Sequence, residues 1–143
     1  MEELSHYESR TGTLSCTSEE VFDFVTDLRN FEQFIPDNTI INWQSVKDTC
    51  SFSVSMVGTV TVRLVKEEPH NKVIFRGDAL KKNDFSIVLN ITSGINNSAD
   101  VKVLFTAELN PMLKVMANKP IIQFLEILIR EMENFKDWKN IIK

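Results

Sequence analysis

The sequence predicts an α+β domain: a curved antiparallel sheet of about six to seven strands folded around one long C-terminal helix, with two short helices after the first strand. Three observations carry this expectation. Between Thr39 and Leu109 apolar side chains alternate with polar ones, the period-two signature of strands with one buried face. On either side of that region apolar residues recur at helical spacing. Glycine and proline number only four each in 143 residues, so breakers are few and the elements should be long.

The first strand is read over about Tyr7 to Cys16, where Leu14 and Cys16 alternate with Thr13 and Ser15. Thr17 then suits a helix cap, and Glu20, three residues on, completes a capping box in which each residue satisfies the other's backbone N–H. Val21, Phe22, Phe24, Val25 and Leu28 follow on one helical face. A second short turn, Phe31 to Ile35, is closed by Pro36, because proline disfavours helix at the residue before it. Thr39 to Lys47 is extended, but Ile40, Ile41, Trp43 and Val46 do not keep one parity, which implies a bulge.

Five strands follow. Phe52, Val54 and Met56 set the inward parity of one, and Val60, Val62 and Leu64 that of the next. Val73, Phe75, Gly77 and Ala79 define a third; Phe85, Ile87, Leu89 and Ile91 a fourth. Val101, Val103, Phe105, Ala107 and Leu109 define the last. The turns between them, Val57-Gly58, Pro69-His70-Asn71, Lys82-Asn83-Asp84 and Gly94 to Asn97, suit an antiparallel meander. Asn110 is a cap and Pro111 takes the favoured first helical position, opening a short turn from Met112 to Asn118. Pro120 then starts a new helix that runs to Trp138, roughly 28 Å at the standard rise. Ile121, Phe124, Leu125, Leu128, Met132 and Phe135 share its gripping face, with Glu131 at the edge and Glu126, Arg130 and Glu133 elsewhere.

Composition narrows the function. Sixteen basic and twenty acidic residues leave a formal charge of -4, which argues against a nucleic-acid partner, since phosphate binding needs a basic face. No stretch approaches the roughly 18 apolar residues of a membrane helix, so no stable membrane insertion is expected. The polar start, MEELSHYESR, reads as neither a secretory signal nor a transit peptide, and the expected location is cytoplasmic. The length predicts one domain over residues 1–143. Cys16 and Cys50 form no metal-ligand spacing with His6 and His70 and are expected to be free buried thiols. No metal and no cofactor is expected, and the four glycines form no phosphate loop. The sequons at Asn90 and Asn96 are read as unused.

Three segments resemble a known superfamily: TLSCTSEEVFDFVTDLRNFEQFIP (Thr13 to Pro36), the Met56-Val57-Gly58 hairpin, and NPMLKVMANKPIIQFLEILI (Asn110 to Ile129). They are similar to helix-grip proteins of the START-related and birch-pollen-allergen superfamily, also called SRPBCC, and to its small single-domain bacterial members above all. Asp27 matches the aspartate that this superfamily carries near the join of its first two helices. The resemblance spans about Tyr7 to Trp138. It implies a helix-grip fold with a space between helix and sheet. Members of the superfamily bind lipids, sterols and other apolar ligands there; some are polyketide cyclases or dehydratases, and some are co-chaperones.

The inward faces of the five strands hold no ionisable residue, so no catalytic residue is assigned. His70 lies in a turn and His6 near the N-terminus, both poor general bases, and Tyr7 is the only tyrosine. Arg10 shares the parity of Leu14, which allows an inward place at a cavity mouth or a place on the rim. Gly77 allows a bend or a close approach. The expected function is binding of a small apolar ligand, lipid-like or polyketide-like. Phe24, Phe34, Phe52, Val54 and Phe75 are expected to line the site from the first helices and the early strands. Phe85, Ile87, Phe105 and Ala107 would line it from the later strands, and Met112, Met116, Phe124 and Leu128 from the C-terminal region. The alternatives are an enzyme of the polyketide cyclase or dehydratase type and a co-chaperone-type interaction protein with a filled core.

Overall fold

The computed structural model describes residues 3–34, 40–54, 58–79, 83–109, 111–136 and 138. Its strands are β1 (Glu3–Glu8), β2 (Gly12–Leu14), β3 (Ile40–Ser45), β4 (Thr49–Val54), β5 (Gly58–Glu68), β6 (Lys72–Ala79), β7 (Asn83–Ser93) and β8 (Ala99–Leu109). They form one antiparallel sheet in the order β1-β8-β7-β6-β5-β4-β3, with β2 also paired to β8. Consecutive strands from β3 to β8 are neighbours, as short turns dictate. Two helices, α1 (Ser18–Val25) and α2 (Pro111–Asn134), and a 3-10 helix (Leu28–Phe34) complete the fold. This is the helix-grip α+β architecture expected from the sequence. Ile35, Pro36, Met56, Val57, Lys82 and the cap Asn110 lie outside the described residues.

The capping box forms as its spacing requires. Glu20 N donates to Thr17 Oγ1 at 3.2 Å, and Thr17 N donates to Glu20 Oε1 at 2.9 Å. The face that follows, Val21, Phe22, Phe24 and Val25, is buried. The expected bulge in β3 lies between Ile41 and Gln44, where Asn42 takes a positive φ of 58°.

Two expectations need correction. The first strand begins earlier than Tyr7 and is broken. Glu8 pairs with Leu104 and Gly12 with Val101, so three residues of the edge strand oppose two of β8. The extra residue is a bulge, and it is stitched by Ser9, whose N donates to Val103 O at 2.8 Å while its Oγ accepts from Val103 N at 2.9 Å. A one-residue insertion reverses which side chains face the core. Ser5, Tyr7 and Ser9 therefore point inward before it, and Gly12 and Leu14 after it. Arg10, which keeps parity with Leu14 only in an unbroken strand, is exposed.

The second correction concerns the last helix. The chain does not break between Asn118 and Pro120; α2 is continuous through Pro120 for 24 residues, roughly 36 Å. Pro120 removes one backbone donor, and Met116, whose carbonyl loses that partner, lies on an exposed stretch open to solvent. The helix stops at Asn134, short of Trp138. Trp138 instead folds in beside Phe24, Phe34 and Phe135, with ring centroids 5.0–5.7 Å apart, and is buried. Its Nε1 donates to Phe135 O at 3.1 Å.

The helix lies across the concave face through Leu125, Leu128, Ile129 and Met132, all buried. It approaches β2 closely at Gly12, where an added Cβ would stand 2.7 Å from Ile129 Cγ2. Arg10 clamps its outer side. The guanidinium makes a forked pair with Glu133 at 2.7 and 3.0 Å and reaches Glu126 at 3.2 Å. Arg10 holds the Glu133 carboxyl below its usual range, helped by the Thr13 N–H, which donates to it at 3.3 Å.

Candidate functional site

Between sheet and helix lies a cavity of about 60 Å³. Its floor is Cys50 and Phe52 of β4, Val62 of β5, Phe75 of β6, and Ile87 and Leu89 of β7. Leu28 and Phe31 of the 3-10 helix, Ile40 and Trp43 of β3, and Phe124 and Leu128 of α2 close it. These residues meet because strand pairing stacks one inward parity across the sheet: Cys50 opposes Val62, Val62 opposes Gly77, and Phe75 opposes Ile87. Trp43 stacks on Phe52 at 5.5 Å, which carries the wall onto the edge strand. Half of the twelve lining residues (Phe31, Ile40, Trp43, Phe52, Ile87 and Phe124) are only half-buried, so the cavity opens to solvent through an apolar mouth.

Among the described residues the lining carries one titratable group. Burial pushes the Cys50 thiol up to about 12, so it is protonated and behaves as a small apolar group. Cys16, outside the cavity, is pushed up to about 12 by burial and then by nearby Glu20. Asp27, at the join of α1 and the 3-10 helix, is buried but committed. Its Oδ1 accepts from Arg29 N at 3.1 Å and Nε at 2.9 Å, and its Oδ2 from Nη2 at 2.5 Å. Those bonds lower its pKa and anchor a helical turn rather than a ligand.

Of the residues singled out from the sequence, Phe52, Phe75, Ile87, Phe124 and Leu128 stand on the cavity wall. Phe24 and Phe34 belong to the filled aromatic cluster around Trp138. Val54 is half-buried near the end of β4. Phe85 and Phe105 stack on each other at 5.2 Å, with Ala107 paired to Phe85. Gly77 leaves room for Phe85 and for the neighbouring backbone: an added Cβ would lie 2.5 Å from both Phe85 Cζ and the Thr61 carbonyl oxygen. Met112 and Met116 are 73% and 56% exposed, because the first turns of α2 present them to solvent. His70 is exposed in its turn, edge-on to Phe22 at 5.5 Å.

Sequence reasoning missed Leu28, Phe31, Ile40, Trp43, Cys50, Val62 and Leu89 as lining residues. Cys50, Val62 and Leu89 had the right parity and were legible. Ile40 and Trp43 lie either side of the β3 bulge, where parity gives no guide.

Eight strands gripping one long helix over an apolar cavity define a helix-grip protein. The solved structures it resembles say the same. A START superfamily protein from Mycobacterium smegmatis shares 11% identity at a TM-score of 0.64, covering 92% of this chain and 99% of that one. Truncated norcoclaurine synthase from Thalictrum flavum shares 8% at a TM-score of 0.66, covering 95% and 96%. The same synthase in complex with dopamine and hydroxybenzaldehyde gives 6% and 0.63, covering 96% and 90%. At such identities these likenesses establish the fold alone, the helix-grip fold that this chain shares with them. No family sequence profile and no curated protein matches the chain.

Proposed function

We propose that the protein, acting as a single domain over residues 1–143, binds a small neutral apolar ligand between sheet and α2. The observation that carries this reading is the cavity itself: open at an apolar mouth, with a wall whose single titratable group is a protonated thiol. Such a surface rewards ligands by the apolar area they remove from water and offers nothing to a charge. At about 60 Å³ the space is well below the roughly 300 Å³ of an ordinary small-molecule pocket. Binding therefore requires the wall to give, and the rings of Phe31, Trp43, Phe52 and Phe124, being half-buried, are the less enclosed part of it. The likeness to norcoclaurine synthase, solved with dopamine and hydroxybenzaldehyde, supports a ligand of aromatic or comparable size in this space. The cyclase or dehydratase reading has less support, because it needs an acid or base on the wall.

Titration with diphenylhexatriene, a neutral hydrocarbon dye, tests the proposal. Saturable fluorescence enhancement at about one site is expected, with little dependence on salt because no ion pair is made. A native protein that leaves the dye dark would sink the reading.

A further inference from the structure

We propose that the hydroxyls of Ser5 and Tyr7 form a polar end to this ligand space and take the oxygen of a neutral, otherwise apolar ligand, such as a ketone or an ester. The proposal rests on the apolar-ligand reading above and goes beyond it in naming the ligand's one polar contact. Its ground is a pair of unsatisfied groups. Ser5 is 4% exposed, and both Ser5 Oγ and Tyr7 Oη are buried without a hydrogen-bond partner. Buried hydroxyls without partners are costly and uncommon, and here two stand two residues apart on one face of one strand.

The bulge at Ser9 is what turns them inward, and strand pairing places them in line with the cavity. One inward row runs Phe75, Ile87, Phe105, Tyr7 across β6, β7, β8 and β1. The next runs Val62, Gly77, Phe85, Ala107, Ser5. Phe75, Ile87 and Val62 line the cavity, so the two hydroxyls stand at the far ends of rows that begin on its floor. From Ile87 to Tyr7 is two strand spacings, roughly 10 Å. On the rows between them, beside the small residues Gly77 and Ala107, stands the stacked pair Phe85 and Phe105, whose ring planes are 12° from parallel, with Tyr7 edge-on to Phe105 at 6.1 Å. Displacing that pair joins the cavity to the hydroxyls.

The chemistry then selects the ligand. Each hydroxyl offers one donor, and a carbonyl oxygen has two lone pairs to accept both. A carboxylate does not suit the place. The buried polar and charged side chains among the described residues are Ser5, Ser9, Asp27 and Asn30, none of them a cation, so its charge would enter unpaired.

The test measures displacement of diphenylhexatriene by methyl hexyl ketone and by nonane, in the wild type and in Tyr7→Phe and Ser5→Ala. Each substitution should weaken the ketone about tenfold, the worth of one hydrogen bond, and leave nonane and the dye unchanged. The ligand-free Tyr7→Phe protein should melt at or above the wild-type temperature, since it loses an unsatisfied group. Ketone binding indifferent to both substitutions, with the dye still bound, overturns this proposal and leaves the apolar-ligand reading standing. A wild type that binds neither dye nor ligand overturns both. A ligand-free Tyr7→Phe that melts several degrees lower shows a structural partner for the hydroxyl and also overturns it.

Discussion

Enlarging Val62 by one methylene reports on the cavity directly. Val62 is 6% exposed, faces inward from the middle of β5 and lies on the cavity floor. A fully enclosed void of about 60 Å³ costs about 1.4 kcal/mol at about 24 cal/mol per Å³, an upper bound for a space with an open mouth. Val62→Ile keeps the β-branch that suits a strand and adds one methylene, worth about 0.8 kcal/mol when buried. The substitution should therefore recover roughly half the cost of the void. For a chain of this length that is a rise of about 2–3 °C in Tm, read by calorimetry on ligand-free protein. The same methylene occupies space the ligand needs, so diphenylhexatriene affinity should fall about fourfold, the equivalent of 0.8 kcal/mol. Val65→Ile on the same strand serves as control. Val65 is 44% exposed at the β5 register shift, and its enlargement should change neither quantity. A lower Tm for Val62→Ile together with unchanged dye binding would refute the reasoning, because the space beside Val62 would then be neither empty nor the place the dye enters.

Four further outcomes are expected. Leu128, 2% exposed on the gripping face of α2, should not tolerate Asp; denaturant titration of Leu128→Asp should show a loss of at least about 4 kcal/mol, and a wild-type curve would mean that the face is misassigned. Thr17→Ala removes half of the capping box and should cost about 1 kcal/mol, a fall of about 2–4 °C in Tm. Arg10 lowers the Glu133 pKa, so the pair's contribution is complete at neutral pH and is lost as pH falls through the folded value, below the usual 4.5. The wild type should therefore melt slightly above Glu133→Gln at pH near 7 and lose that lead near pH 3, with the whole effect small because the pair is partly exposed; a lead that does not change with pH contradicts the pairing. Cys16 and Cys50, pushed up to about 12, should resist iodoacetamide in the native protein on the order of a thousandfold longer than in denaturant, as followed by mass spectrometry.

Local chemistry was legible in the sequence wherever it needs no distant partner. The Thr17–Glu20 box closes within one helical turn, and α1 follows from it. The parity of β4 to β8 is a property of each strand alone, and it places Phe52, Phe75 and Ile87 on the cavity floor. The stripe through Leu125, Leu128 and Met132 likewise belongs to α2 alone, and a long amphipathic helix beside a twisted sheet leaves little choice of fold.

What the tertiary structure decided depends on pairing and on volume. The bulge at Ser9 exists because β1 and β2 share one edge of β8, and no pattern within residues 3–14 announces the extra residue. That single insertion sends Arg10 out to Glu126 and Glu133, the rim place its parity alone could not decide, and brings Tyr7 and Ser5 in. Pro120 reads as a helix start by local rule, yet α2 runs through it, losing one backbone hydrogen bond on an exposed stretch while Leu125, Leu128, Ile129 and Met132 further along bury their side chains. The ten phenylalanines could fill the interior or wall a space. Phe24, Phe34 and Phe135 close solidly around Trp138, whereas Phe31, Phe52, Phe75 and Phe124 meet imperfectly and leave a void. Side-chain type sets how much apolar volume a chain carries, but only the three-dimensional fit of facing surfaces sets where that volume fails to close.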